Sequence, residues 1–383
     1  MNNVQDILIH SSVLFTASST AYYYYYNMQS IAFLLYIVVS ATTYLAVFYM
    51  IPKIKKFTLN AGLYGKDINK KGTPEGEAQI PETLGIVPAT VFIIFNMVGV
   101  LYSYKQHTTS HIAFEHCAGM LSICFIIFLG FCDDVFDLPW RYKILLPNLA
   151  SLPILVAYEG VTHVVVPIFL RPYLGNYVSL GVLYYLYMMA VVTFCTNSIN
   201  IYAGINGLEV TQSIIIACSI LLYNLTELWL GQQQTFSHTI SIQIILPYIF
   251  STLGLYYYNK YPSQVFVGDT FCYWSGMVFA TVGILGHFSK TLLLFFIPQI
   301  INFVYSLPQL MKIIPCPRHR LPFYNVETKK LEKVKTNLNL INLYLWIRGP
   351  LSEKDLCKEL VILQILCTFL GFLIRYYGAH LLF

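Results

Sequence analysis

The chain has 383 residues, of which 57% are apolar or aromatic and 11% are charged, with a mean hydropathy of +0.61. Soluble domains average roughly 25% charged residues, so this composition excludes a disordered tail, a coiled coil and a nucleic-acid-binding module, each of which needs far more charge. The net charge of +5, from 23 basic and 18 acidic side chains, matters chiefly through its placement about a membrane.

Residues 1–30 lack the basic start, apolar centre and small-residue cleavage site of a signal peptide, and the tyrosine run 22–26 marks a low-complexity extension. A spanning helix needs about 20 mostly apolar residues. Runs of that kind predict about ten spans, at 31–51, 85–104, 112–132, 144–158, 178–197, 208–224, 240–258, 266–285, 291–312 and 359–374. The fourth holds Pro147 and Pro153 and reads as a kinked or partly buried helix. The nine cysteines form no CxxC pair and sit mostly inside apolar runs, where they read as small buried hydrophobes. The fold class is therefore an all-α polytopic membrane protein.

Basic residues gather on one side of these spans, 19 of them against Lys105, Arg171, Lys290 and Arg375 on the other. The positive-inside rule makes the first side cytoplasmic and places both termini away from it. The triplet Asn224-Leu225-Thr226 falls on the far side, as a lumenal N-glycosylation acceptor does.

Ionisable and amide residues are costly at membrane depth, so clusters of them at helix ends are candidates for function. Five stand out: Gly65 to Lys70 with Ile80-Pro81-Glu82; Asp133-Asp134-Val135-Phe136-Asp137 with Lys143; Asn197 to Asn200 leading to Gly204-Ile205-Asn206-Gly207; Phe266 to Asp269; and Pro315 to Arg320. All five fall in or beside the cytoplasmic connections. The adjacent Asp133 and Asp134 repel each other unless a cation intervenes, and Mg²⁺ takes hard oxygens from one or two carboxylates, phosphates and water. Asp133, Asp134, Asp269 and Asn200 are the available donors, although the pair also reads as a solvated helix end. The glycine turn 204–207 reads equally as an ordinary turn or as backbone approaching a planar ligand. Asn206 carries both a donor and an acceptor for a uracil edge, and Phe266 can stack on it or simply pack. Lys143 and Arg318-His319-Arg320 bring positive charge suited to a pyrophosphate, whereas Lys329, Lys330, Lys333 and Lys335 read about equally as contacts to membrane lipid headgroups. A secondary transporter would place its polar groups near the bilayer midplane within internal repeats, and no repeat is present.

The motifs Gly130-Phe131-Cys132-Asp133-Asp134, Asn200 to Glu209, Phe266 to Cys272 and Pro315-Cys316-Pro317-Arg318-His319-Arg320 resemble the eukaryotic branch of the polyprenyl-phosphate sugar-1-phosphate transferases, over about residues 31–375. The resemblance implies a ten-helix, Mg²⁺-dependent endoplasmic-reticulum enzyme, a homodimer, whose active site faces the cytosol. Its implied substrates are UDP-N-acetylglucosamine (UDP-GlcNAc) and dolichyl phosphate. In this reading residues 1–30 form a lumenal extension, and 31–383 form a single transmembrane catalytic domain whose cytosolic loop 313–358 covers the site.

Carried over by position, Asn200 and Asp269 resemble the Mg²⁺ ligands, and Lys143 matches a lysine near the diphosphate. Arg318, His319 and Arg320 match the loop that holds the diphosphate and sugar, and Asn206 with Gly204 and Phe266 matches the uracil site. Lys66, Asp67, Ile68 and Glu82 match the first loop around the nucleotide sugar, and the segment from Thr193 and Phe194 through Asn197 to Ile201 resembles the one beside the lipid phosphate. The family tends to carry Gln where Lys66 stands and Asn where Asp137 stands. Asp133 is expected to complete deprotonation of the acceptor or orient it, and Asp134 to tune the metal. The acceptor phosphate is expected to attack the β-phosphorus directly; a two-step route through an aspartyl phosphate would exchange UMP into UDP-GlcNAc without lipid. The nearest alternative is the same chemistry on another acceptor or sugar, as in bacterial undecaprenyl-phosphate transferases.

Overall fold

The computed structural model of the chain describes residues 31–106, 110–231, 235–317 and 319–382. The N-terminal extension and Arg318 lie outside the described residues. Every one of the ten predicted apolar segments is helical. In chain order these are α1 (Ile31–Asn60), α2 (Ile86–Gln106), α3 (Ser110–Phe136), α4 (Trp140–Ala150) with α5 (Leu152–Ala157), α6 (Val182–Ile201), α7 (Leu208–Trp229), α8 (Thr235–Asn259), α9 (Gly268–Leu285), α10 (Ser289–Leu294) with α11 (Ile297–Leu310), and, after α12 (Leu340–Arg348), α13 (Glu353–Leu373).

Among the described residues, six helices are long and apolar enough to cross a membrane: Tyr36–Asn60, Ala113–Phe136, Val182–Ile201, Leu208–Trp229, Ser237–Asn259 and Glu353–Gly378. Of the other four predicted segments, α2 and α9 are continuous helices and two are interrupted. The fourth breaks at Ser151, between the two prolines that predicted its kink, and the ninth breaks at Phe295 and Phe296. Proline at a helix's first turn is tolerated, whereas in the interior it removes a hydrogen bond; Pro153 and Pro298 both stand near the start of the resumed helix.

α9 is the central helix. Every residue from Thr270 to Leu285 is buried, and it packs against α3 on one side and α6 on the other. α8 packs against α1, α2 and α7, and α7 in turn against α13. A helix apolar all round is stable only inside such a bundle. α1 runs beyond its predicted end to Asn60, so Lys53, Lys55 and Lys56 sit on its last turns, where long stems reach outward while the charged heads stay wet.

Among the described residues, three two-stranded antiparallel ribbons join the helices: β1 (Tyr64–Gly65) with β2 (Ile80–Pro81), β3 (His163–Val165) with β4 (Tyr177–Ser179), and β5 (Phe323–Asn325) with β6 (Lys330–Glu332). The last ribbon and α12 fill the 313–358 connection. They do not float: Leu331, Leu340, Ile341 and Leu345 join Tyr202, Ile205, Leu208, Leu356 and Leu360 in a second, smaller apolar core. Each fully buried Leu or Ile contributes about 1.5–3 kcal/mol, so this connection is a packed wall.

Packing decides the standing of the sequon, which the sequence leaves open. Asn224 is fully buried in the body of α7, where its amide donates to the Ile220 carbonyl at 2.8 Å and its Oδ1 lies 2.7 Å from His238 Nδ1. A glycan acceptor must stand on an accessible surface, so the triplet is a sequence coincidence inside a packed helix.

Candidate active site

All five polar clusters converge on one cleft of about 670 Å³. Its lining draws on the first loop (Lys66, Asp67, Ile68, Asn69, Glu82), the α3–α4 corner (Asp137, Lys143), the end of α6 (Asn197, Asn200, Gly204, Asn206), the start of α9 (Phe266, Asp269) and the last loop (Cys316, His319, Arg320). That volume suits a ligand of nucleotide-sugar size.

At the cleft floor, Lys143 Nζ lies 2.8 Å from Asp269 Oδ2 and 2.8 Å from Asp133 Oδ2. Burial works to lower the Lys143 pKa, but the Asp269 and Asp133 carboxylates outweigh it and raise the pKa above the ordinary lysine value. The lysine therefore stays cationic. The Asn200 amide donates to Asp269 Oδ1 at 2.6 Å, so Asp269 is gripped on both oxygens. Among the described residues no three His, Cys, Asp or Glu side chains gather as a metal cluster. One carboxylate and one amide oxygen still suit Mg²⁺, which habitually completes its octahedron with substrate phosphates and water; the Asn200 amide would turn its oxygen inward to ligate.

Asp133 and Asp134 do not line this cleft. Buried Asp133 accepts from Leu138 N–H at 3.0 Å and Tyr273 Oη at 3.1 Å, and braces Lys143. Asp134 turns to the start of α9, where it accepts the Asp269 N–H at 2.5 Å, the Thr270 N–H at 3.2 Å and the Thr270 hydroxyl at 2.5 Å. A carboxylate at a helix N-terminus satisfies otherwise orphaned N–H groups and matches the helix dipole. Gly268 permits this approach: at φ +72° it occupies the left-handed region, and a Cβ there would fall 2.4 Å from Asp134 Oδ2. The expected repulsion within the pair is thus relieved by giving each carboxylate its own partners, and Asp134 acts on Asp269 through the backbone.

Around the rim, Lys66 Nζ pairs with Glu77 Oε2 at 2.5 Å in solvent, and Ile68 is partly exposed. Burial, followed by the Asp269 charge, raises the Glu82 pKa. Phe266 is tied to the first loop by its N–H donating to Pro81 O and its carbonyl accepting from Leu84 N–H. A Cβ on Gly204, at φ +111°, would meet Leu321 Cδ2 at 2.3 Å, so the turn's close approach is to the last loop. Burial lowers the Arg320 pKa, with Cys316 opposing; arginine remains charged nonetheless. Arg320 Nη1 donates to Leu338 O at 3.3 Å, while Asn339 donates back to the Arg320 carbonyl at 2.6 Å. Asn197 donates to Thr193 O at 2.9 Å. Thr193 and Phe194 lie outside the cleft lining, bonded to Asn148 and packed on Phe296 and Phe303 respectively.

Sequence reasoning gave Asn69 and Lys70 no role of their own and missed Glu353; the three form a buried network with Asp67 and Asn206. Asn69 and Lys70 lie inside a cluster already visible as polar; Glu353 carries no local signal.

Residues 116–287 match the Glycosyl transferase family 4. A UDP-N-acetylglucosamine--dolichyl-phosphate N-acetylglucosaminephosphotransferase of Dictyostelium discoideum is 50% identical over 88% of this chain and 87% of its own length. The enzymes of that name from Saccharomyces cerevisiae and Schizosaccharomyces pombe are 39% and 38% identical, over 89% and 90% of this chain and 90% and 92% of theirs. The chain belongs to this phosphotransferase family. Membership agrees with the resemblance carried by the four motifs, and it makes the cleft the family's candidate catalytic centre on a polytopic helical membrane protein.

Proposed function

We propose that the chain transfers GlcNAc-1-phosphate from UDP-GlcNAc to dolichyl phosphate, giving GlcNAc-diphosphodolichol and UMP, at the cytosolic face of the endoplasmic-reticulum membrane. The observation that carries this reading is the cluster of Lys143, Asn200 and Asp269 at the floor of a cleft whose rim holds Phe266, Asn206, His319 and Arg320. The cytosolic orientation is supported by 19 of 23 basic residues falling on the cleft side of the predicted spans.

Asn206 and Phe266 take the base, and Arg320 with His319 and Arg318 takes the diphosphate and sugar. Asn200 and Asp269 would hold Mg²⁺, which when bound supplies charge neutralisation on diphosphate oxygens. Lys143 adds a fixed positive charge where negative charge grows on the β-phosphate and departing UMP. Asp133 and Tyr273 keep that lysine in place. Phosphate monoesters have a second pKa of about 6, so the acceptor is already mostly dianionic at neutral pH and attacks without a strong base; positioning does most of the work.

An apolar groove of about 800 Å³ between α3 and α4–α5 is lined by residues including Phe125, Phe128, Leu146, Leu149 and Val156. Leu146 lies one turn beyond Lys143 on the same helix, and Leu149 one turn beyond Leu146. The groove thus supplies an apolar track for the polyprenyl chain, and its lining begins on the helix that carries Lys143.

Radiolabelled UDP-GlcNAc with dolichyl phosphate, with and without Mg²⁺, tests the reading. Label should enter the lipid only with Mg²⁺ and release UMP, and undecaprenyl phosphate should serve less well. Incubation without acceptor should give no UMP exchange into UDP-GlcNAc; exchange would establish the two-step route.

A further inference from the structure

Behind the cleft wall formed by Asp67, Asn69 and Asn206 lies Glu353, the first residue of α13 and only 5% exposed. Its Oε1 accepts the Asn206 backbone N–H at 3.0 Å and Asn69 Nδ2 at 3.1 Å. The same Asn69 amide donates to Gly204 O at 2.6 Å. Lys70 Nζ donates to Asp67 Oδ2 at 2.9 Å, stands 4.0 Å from Glu353 Oε2, and lies over the Tyr261 ring at 4.7 Å. Glu353 is not needed to cap its helix, because Ser352 already accepts the Asp355 N–H. A buried carboxylate is costly unless it is paired and hydrogen-bonded. This one spends its bonds on residues 147 and 284 positions away, at the nucleotide end of the cleft.

The consequence falls on Asn206. The Asn206 amide turns its nitrogen to the Asp67 side chain, Nδ2 donating to Asp67 Oδ2 at 2.9 Å. With its backbone N–H held by Glu353 and its Nδ2 held by Asp67, Asn206 offers a ligand its Oδ1, an acceptor. Uracil carries a donor at N3–H, where cytosine carries a bare acceptor nitrogen. We propose that Glu353 is a positioning residue that locks the Asn206 turn against the Asp67–Asn69 loop, so that the cleft selects uridine over cytidine nucleotides. The inference rests on the reading of the cleft as a nucleotide-sugar site.

The test uses the full chain purified in detergent, with calorimetric binding of UMP and CMP alongside KM and kcat for UDP-GlcNAc. Losing the acceptor in Glu353→Ala should raise KM and shrink the UMP-over-CMP preference by about ten- to a hundredfold, the worth of one or two buried hydrogen bonds, with kcat moved less than about threefold. Glu353→Gln keeps an acceptor oxygen and should restore both. A purely structural role would lower the yield of folded protein while leaving the base preference of the folded fraction unchanged, and that result overturns the proposal. Should Glu353→Ala not fold, Asp67→Asn decides: its amide can face Asn206 with either atom, so the preference should narrow, and an unchanged ratio refutes the lock. A wild-type protein with no UMP preference would instead sink the nucleotide-sugar reading itself, a separate failure from variants that discriminate as well as wild type.

Discussion

Replacing Asp134 with asparagine isolates the link between the α3 end and the Asp269 helix. Both carboxylate oxygens are used: one by the Asp269 N–H, the other by the Thr270 N–H and hydroxyl. An amide has one acceptor oxygen. If it serves Thr270, its NH₂ faces the Asp269 N–H donor to donor, losing one charge-assisted bond of about 2 kcal/mol and weakening two others by about 1 kcal/mol each. Partial exposure of the site lets water recover some of this, leaving a loss of roughly 2–4 kcal/mol, to which the helix dipole adds about 0.5 kcal/mol. Asp269 then shifts on its backbone, and a displacement of about 1 Å in a reacting group costs about a hundredfold in rate. Thermal unfolding in detergent and kcat/KM for UDP-GlcNAc should fall together, whereas Thr270→Val, which keeps the N–H, should cost about 1 kcal/mol and little activity. Activity lost with unchanged melting would mean that Asp134 meets the substrate directly, and a variant indistinguishable from wild type would remove its positioning role.

Four further outcomes follow from the structure. Asp269→Ala should abolish turnover in folded protein even at saturating Mg²⁺, and near-normal activity there would refute the ligand assignment. Lys143→Gln should lower kcat by about 10²–10³-fold while calorimetry still registers UMP. Glu82, whose folded pKa is raised by burial and by Asp269, binds more protons folded than unfolded; stability should fall as pH climbs from the ordinary glutamate value through the raised one. Glu82→Gln should flatten that slope in a pH series of melting curves, and an unaltered slope would assign it elsewhere. Asn224→Gln should leave electrophoretic mobility and glycosidase sensitivity unchanged while lowering the melting temperature, because it breaks a buried pairing with His238.

The helices and the polar clusters were legible because membranes impose a long apolar period that loops interrupt with charge. Lys143, Asn200 and Asp269 could be singled out as costly groups at the ends of such runs. The Asp133-Asp134 pair could not be resolved, since adjacent residues on a helix point about 100° apart and only the packing of α9 against α3 decides which one faces Lys143. The sequon looked usable because a triplet carries no information on burial. Glu353 was invisible for the opposite reason: Ser352-Glu353-Lys354-Asp355 has the composition of any solvated helix start, and its partners arrive from residues 69 and 206. Span counting was the loosest reading, because prolines and paired phenylalanines divide apolar runs without changing their hydropathy.

The seam that joins Asn69 and Asn206 to Glu353 also sets an order of manufacture. Every signature motif has left the ribosome by the time Arg320 emerges, yet the carboxylate that braces the bonded first loop and Asn206 turn from behind follows more than thirty residues later. A nascent chain stalled in that interval would hold the whole vocabulary of the active site with the two Glu353 bonds still unmade, so full nucleotide affinity should arrive only once Glu353 has emerged.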